Sequence, residues 1–431
     1  MSFELQEGIY YRSKPSIGNS FCVVSMRSEN NSQIDYIGTA VAQIWNRLIK
    51  LKSGIVADLN IKPIHRKKGN LTILVGYGSK LFDLPGSKKI KPVNFSKNWN
   101  FKPPSPRGGG CLIEGSEMKY SPKVIDNHLL FDHIIFQFIA DNAFYTTRAA
   151  VEVWKELHRL EKKTGHSPLR ITGLYTGFQR ADQRNWQGFH DGVSNLKSRE
   201  RPYVISIDSR YLSSQDKWTL HGTYLAFIRI GIDLEKWQDT DIRNQEILIG
   251  RDKLTGCPLI RVDENGRPIK DVRCPVPGTS EVIDRGNEYF RDYSPSKSRI
   301  GKDILDYSHI GRSRSADRVP VWDRKSFRIF RQGFEFLMAS DEHPGFIAGL
   351  NFVSFQNTPE RLFRTLTYHK AIRPEPFRSE PSNNFDQFLS VFAAGIFLVP
   401  PVVKNELFPG ARIFFSDSEL RYLPKYLLQK Y

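Results

Sequence analysis

The sequence predicts an α+β fold in two halves, and three observations carry that expectation. Amphipathic helical runs alternate with short β-rich runs, both halves contain the order strand, helix, strand, and a polar Gly- and Pro-rich excursion interrupts each half. With 431 residues the chain is long enough to bury a sizeable core without disulfides.

In the first half, Ile37, Ala40, Val41, Ile44, Trp45, Leu48 and Leu51 recur at three- and four-residue spacing, which predicts a helix with one apolar face. Leu71 to Gly78 is a short β-rich run closed by glycines and reads as a strand feeding a turn. Residues 97 to 110 read as a surface loop. A strand over Leu129 to Phe138 and a helix over Ala143 to Lys162 complete a unit that extends to about residue 175.

The second half opens with a strand over Gly222 to Gly231 and a helical stretch over Leu234 to Ile249. Residues 256 to 319 carry few periodic apolar positions and read as a functional excursion. Regular structure resumes with a strand over Gly349 to Gln356, a helix near Pro359 to His369, and a strand over Phe388 to Val403. That last stretch is the longest apolar run, but Ser390, Gly395 and Pro400-Pro401 interrupt it, whereas a membrane span needs about 20 apolar residues. No membrane partner is expected.

A content of 39% hydrophobic and 25% charged residues excludes a disordered or collagen-like chain. The net charge of +17 favours anionic partners, but the basic clusters at His65 to Lys68, Lys88 to Lys91 and Arg312, Arg314 and Arg318 are dispersed. No nucleic-acid-binding motif accompanies them, so a solvated basic surface is the simpler reading and no nucleic-acid partner is expected. Cys22, Cys111, Cys257 and Cys274 form no C-x-x-C pair, which fits a reducing compartment; with no export signal visible at the N-terminus, the expected location is cytoplasmic.

Three places carry residues suited to chemistry. Gly188-Phe-His-Asp-Gly192 flanks an acid with glycines, which lets the backbone approach a flat ligand and aims the carboxylate of Asp191 at it; a plain Asp turn has the same pattern. His309 lies in a polar loop without the additional close-spaced ligands that zinc requires, so it is either structural or the single protein ligand of a haem. Arg331 follows Phe327, Ile329 and Phe330, which suits either a partly buried cation paired with an anionic group or an arginine on a strand edge.

Taken together, these segments resemble the dye-decolorizing peroxidase family of haem enzymes. Gly188 to Gly192 matches the family's G-x-x-D-G signature, and Gly222 to Leu225, Ile232 to Trp237, Gln245-Glu246 and Gly250 to Leu259 follow its consecutive segments in order. Ser308 to Ile310, Arg328 to Arg331, Gly349 to Phe352 and Val399 to Pro401 complete the match, which is strongest over 173–401 and weaker but in register at Leu74 to Gly78.

The resemblance implies two ferredoxin-like halves with antiparallel sheets and peripheral helices, of the dimeric α/β-barrel type. The first half, 1–200, would carry the G-x-x-D-G loop, and the second, 201–431, the proximal histidine and distal arginine. One haem b per chain is expected between the sheet and the helices of the C-terminal half. His309 would ligate its iron, and Asp191 and Arg331 would stand on the peroxide side as catalytic residues. The resemblance also places Arg251 beside a haem propionate and Leu350 and Phe352 in the distal wall, with Gly188, Gly192 and Asn195 at the cofactor. Gly311 departs from the family's pattern, in which an arginine often stands two residues after the histidine; Arg312 is expected to replace that charge one position later.

The implied activity is oxidation of bulky phenolic or dye-like reductants by hydrogen peroxide. The altered loop after His309 motivates an alternative, a haem-binding, delivery or sensing protein without peroxidase turnover. The natural reductant, a surface radical site among the Tyr and Trp residues such as Trp186 or Trp322, and self-association into a homo-oligomer are left open by the sequence.

Overall fold

Eight antiparallel strands close into a barrel in a computed structural model of the chain, and two short strands make a separate ribbon beside it. The structure describes residues 3–9, 19–28, 32–56, 58–62, 69–95, 127–180, 184–190, 195–251, 253, 256, 308–309, 321–323, 326, 328–341, 343–362, 365 and 388–428. The first half contains β1 (Phe3–Glu4), β2 (Ser20–Arg27), α1 (Ile34–Lys52), β3 (Thr72–Gly78), β4 (Ile134–Ala140), α2 (Ala143–Thr164) and β5 (Arg170–Phe178). The second contains α3 (Arg201–Ile205), β6 (Thr223–Ile232), α4 (Leu234–Gln238), α5 (Ile242–Ile249), β7 (Phe330–Ala339), β8 (Phe346–Gln356), β9 (Leu389–Val399), β10 (Val402–Val403) and α6 (Asp417–Leu428).

Strand order around the barrel is β2-β4-β3-β9-β6-β8-β7-β5, and β5 returns to pair with β2. Numbered one to four within each half, the strands of both halves lie in the order 4-1-3-2. The halves join where Tyr77 and Gly78 pair with Leu398 and Phe397, and where Phe178 pairs with Glu335.

Strand alternation sorts the apolar residues into two layers. Phe21, Val23, Leu225, Phe227, Phe330, Phe334, Val353 and Phe355 fill the inside of the barrel, with the Phe21 and Phe334 rings stacked 4.4 Å apart. Val24, Tyr224, Ala226, Ile228 and Leu398 face outward into the apolar layer that also contains the buried faces of α1 and α2, and α2 packs on β2, β4 and β5. The α1 face is the one its spacing predicts, with Ile37, Ala40, Val41, Ile44 and Leu48 buried. Asn142 caps α2 by accepting from the Phe144 N–H, and Gly165, in the left-handed region at φ 81°, ends it. At the N-terminus, Ile9 joins the inner layer, while the Gln6 amide bonds Val75 and the Pro400 carbonyl.

Three expectations change. Asn127–Phe131 forms a 3-10 turn, and the strand begins only at Ile134, after the buried polar pair Asp132 and His133. The terminal apolar run is two strands, because Pro400-Pro401 cannot donate to a ladder. The strands β2, β5 and β7, of which β5 and β7 form the second of the two junctions between the halves, are additions to the sequence reading. The expected loop over 97–110 lies outside the described residues, as does nearly all of the excursion over 256–319; residues 359–362 and 365 of the expected helix near 359–369 are helical.

Candidate functional site

The outward face of β7 and β8 gathers several of the residues singled out in the sequence. Because Phe330 and Phe334 point inward, Arg331, Gly333 and Glu335 point outward; Leu350, Phe352 and Ser354 do so on β8 by the same alternation. Register sets Arg331 opposite Ser354, Gly333 opposite Phe352 and Glu335 opposite Leu350. Arg331, Leu350 and Phe352 are half-buried, and Phe352 packs against the outer apolar layer. Gly333, without a side chain, stands between Arg331 and Glu335 and opposite Phe352 on this face.

Asn195, three residues after Gly192 in the sequence, reaches the backbone of β7. Its Nδ2 donates to the Arg331 carbonyl at 2.6 Å, and its Oδ1 accepts from the Arg331 N–H at 3.2 Å. The amide thereby acts as a one-residue strand partner for β7.

The loop that enters the G-x-x-D-G sequence is fixed at its other end. Arg184 Nη1 donates to the Gly188 carbonyl at 2.8 Å and to the Lys253 carbonyl at 2.7 Å. Gly188 sits at φ 85°, where a side chain is strained, and a Cβ there would come 2.8 Å from the Lys253 side chain. Phe189 packs against Trp237, which itself packs edge-on against Phe388. Trp186 Nε1 donates to the Phe336 carbonyl at 3.1 Å, tying the loop to β7.

Arg251 stands at the end of α5, where Gly250 adopts the left-handed conformation that closes the helix. It is 5% exposed, and its Nη1 donates to the Gly256 carbonyl at 2.6 Å. Lys253 Nζ bonds Gln245 Oε1 at 2.5 Å; burial, with Arg184 close by, draws its ammonium below the usual lysine range against the pull of Glu246.

Ser308 is buried, and the imidazole of His309 is exposed. Asp191, Gly192 and Arg312 lie outside the described residues. The structure therefore brings Arg331, Leu350 and Phe352 together on one sheet face, with Asn195 bonded to the Arg331 backbone, and links Gly188 to the segment after Arg251 through Arg184. Trp322 is exposed and meets Tyr203 edge-on at 6.4 Å.

Sequence reading did not single out Arg184, Lys253 or the backbone grip of Asn195. Arg184 and Lys253 are 69 residues apart, and Asn195 and Arg331 are 136 apart, so no local spacing encodes either contact. Among the described residues, no three His, Cys, Asp or Glu side chains gather to hold a bare metal ion, and no helix is long and apolar enough to cross a membrane.

The deferrochelatase of Escherichia coli (strain K12) is 26% identical over 240 residues, which cover 55% of this chain and 46% of that protein. The deferrochelatase of Shigella flexneri serotype 5b is 25% identical over 365 residues, covering 83% of this chain and 71% of its own length. The chain thus spans about half the length of the first curated relatives it matches. In fold it is similar to a DyP-type peroxidase from Streptomyces coelicolor, with a TM-score of 0.63, 18% identity and 96% of each chain covered. A DyP-type peroxidase from Cellulomonas bogoriensis gives a TM-score of 0.64 at 17% identity, covering 96% of this chain and 97% of that one. A DypB variant from Rhodococcus jostii, solved in complex with haem, gives 0.56 at 16% identity, covering 92% and 96%. The family model described as Dyp-type peroxidase, C-terminal, matches residues 182–404, from the loop before Gly188 to the end of the barrel, and the chain belongs to the Dyp-type peroxidase family.

Proposed function

We propose that the protein is a haem peroxidase that reduces hydrogen peroxide and oxidises bulky phenolic or dye-like compounds. The observation that carries this reading is the wall on β7 and β8, where a cation, Arg331, stands beside the apolar pair Leu350 and Phe352 and is gripped by the residue that ends the G-x-x-D-G loop.

The residues present suit a haem. A porphyrin needs a flat apolar face, cations for its propionates and one nitrogen ligand; Leu350 and Phe352, the buried Arg251, and the exposed imidazole of His309 are of these types. We assign the iron to His309, the propionates to Arg251 and Arg312, and contacts along the loop to Gly188, Gly192 and Asn195. Bound there, haem b supplies the redox-active iron. The shared 4-1-3-2 strand order supports reading 1–200 and 201–431 as ferredoxin-like halves, with the haem against the second.

The chain's own contribution is proton and charge management. The Asp191 carboxylate takes the proton from the inner oxygen of hydrogen peroxide and returns it to the outer one, so that water leaves. The Arg331 guanidinium stabilises negative charge on the departing oxygen. Two electrons and two protons per peroxide give two waters, and the organic reductant provides the electrons. The cytoplasm is the setting we propose, in keeping with the cysteine spacing and the buried Cys22 thiol, whose pKa burial pushes up to about 12.

A second reading, haem handling without turnover, draws on the curated relatives that are named deferrochelatase. The absorbance spectrum of the haemin-reconstituted, desalted protein before and after one equivalent of hydrogen peroxide separates the two. We expect a sharp Soret band that changes with peroxide and reductant consumption that follows, with His309→Ala losing haem and Arg331→Leu and Asp191→Asn slowing the peroxide reaction. A Soret band indifferent to peroxide favours the second reading, and no retained haem overturns both.

A further inference from the structure

The barrel interior holds a guanidinium whose partners among the described residues are all neutral. Arg229 lies on β6 in line with the inward residues Leu225 and Phe227 and is 8% exposed. Its Nη1 donates to Asn351 Oδ1 at 2.8 Å, across the register pair that joins β6 to β8. Its Nη2 lies 3.5 Å from Met338 Sδ, and its central carbon is 3.5 Å above the Phe336 ring and 5.6 Å from that of Tyr175. An amide, a thioether and two ring faces thus surround the charge, and none of them cancels it. Burial draws its pKa down to about 10 while Tyr175 pulls the other way, so the group stays cationic at neutral pH.

A buried cation without a counter-charge costs folding free energy, and an apolar side chain among Tyr175, Phe336 and Met338 would fit at lower cost. The position of the charge supplies a reason to keep it. Asn351 lies between Leu350 and Phe352 on β8, so the guanidinium it holds is one strand layer behind the wall that carries Arg331. The Phe336 and Tyr175 rings and the Met338 thioether pack around it, and in such a low-dielectric setting a charge acts over a longer range than in solvent.

We propose that Arg229 is a tuning residue whose uncompensated charge, held behind the β7–β8 wall, stabilises negative charge in the haem site and raises the reduction potential of the bound iron. The inference rests on the peroxidase reading for the location of the haem. A cation behind the wall favours the reduced iron over the oxidised one and favours anionic ligands in the site. Arg331 acts on the same charge from within the site, and Arg229 acts through the sheet.

The test uses the haem-reconstituted full chain with three substitutions: Arg229→Met removes the charge, Arg229→Lys keeps it, and Met338→Glu sets a carboxylate beside the intact guanidinium. The readouts are the midpoint potential, azide affinity by absorbance titration, and thermal unfolding of the haem-free protein. Arg229→Met and Met338→Glu should each lower the potential and weaken azide binding by about threefold to tenfold. A tenfold change in the reduced-to-oxidised ratio corresponds to about 59 mV for a one-electron couple. Arg229→Lys should stay within about twofold of the parent protein, and haem-free Arg229→Met should unfold at the same temperature or higher. Should Arg229→Met not fold, Met338→Glu decides alone. Unchanged potential and azide affinity in a neutralising variant that holds haem overturns the inference while leaving the peroxidase reading intact. A parent protein that retains no haem overturns that reading and the inference with it.

Discussion

The side-chain amide of Asn195 holds both backbone polar atoms of Arg331, donating to the carbonyl at 2.6 Å and accepting from the N–H at 3.2 Å. The segment that follows Asp191 is thereby fastened to the backbone of the residue proposed to act with it. Asn195→Ala removes both bonds from a half-buried site, for an expected loss of about 1–2 kcal/mol in urea unfolding. Stopped-flow mixing with hydrogen peroxide should show a fall of about tenfold or more, because small misplacements of a charge-stabilising group are costly. Haem retention should hold within about twofold; a parent-like peroxide rate would show that the grip does not position Arg331.

Two buried groups bias stability in opposite directions with pH. The pKa of His133, whose Nδ1 accepts from the Ser28 N–H at 3.0 Å, is lowered to about 4 by burial and then by Arg27. In the unfolded chain it takes up its proton near 6.5, so its contribution is complete above that value and is lost as pH falls toward 4. Glu406 does the reverse: burial raises its carboxyl to about 7 against the pull of Arg412, so its contribution is complete below 4.5 and lost as pH rises to 7. Each contribution is on the order of 3 kcal/mol, so they nearly cancel between pH 4.5 and 6.5. Urea unfolding across that window should show stability climbing with pH in Glu406→Gln and falling with pH in His133→Asn; parallel profiles in all three proteins would contradict both assignments.

Local pattern made part of the molecule legible. The apolar spacing from Ile37 to Leu48 is the buried face of α1, and the glycine-closed run ending at Gly78 is β3. The strand β7 was not legible, because Arg331, Gln332, Gly333 and Glu335 interrupt its apolar residues; its inner face shows only once Phe330 and Phe334 are placed in the barrel. Arg331 was found through its motif, whereas the bond from Asn195 that holds it spans 136 residues and leaves no periodic trace. Arg229 reads in the sequence as one residue of an apolar strand, since its significance lies in which face of a closed sheet it occupies.

Arg47 holds α1 to α2 through carboxylates that burial has made dependent on it. Its Nε donates to Glu152, its Nη2 reaches Asp58 Oδ1 at 2.5 Å, and its Nη1 lies 3.5 Å from Glu156 Oε2. Asp58, bonded by Lys155 and Arg47, is lowered to about 2. Arg47→Met strands two buried carboxylates, although Arg148 and Arg159 still reach them, so the expected loss is about 3 kcal/mol in urea unfolding. Adding Glu152→Leu should recover more than half of that loss, because the remaining cost lies in the unpaired charge and not in the missing contact.

Gly177 tests the closure of the barrel. A Cβ at this position would lie 2.6 Å from Asn351 Nδ2 and 2.8 Å from the Glu335 carbonyl. The first atom belongs to the amide that bonds the Thr176 carbonyl and holds Arg229; the second lies in the pair that joins β5 to β7. Gly177→Ala therefore has to push β7 outward or break the Asn351 contact, for an expected loss of about 2–3 kcal/mol. Gly165→Ala, which meets open space and suffers only its left-handed backbone, should cost about 1 kcal/mol. Hydrogen exchange places the damage: amides of β5 and β7 should exchange faster in Gly177→Ala while those of β3 and β4 keep parent rates. Uniform acceleration would mean that the barrel opens as a whole and that the Phe178–Glu335 junction is not its weak point.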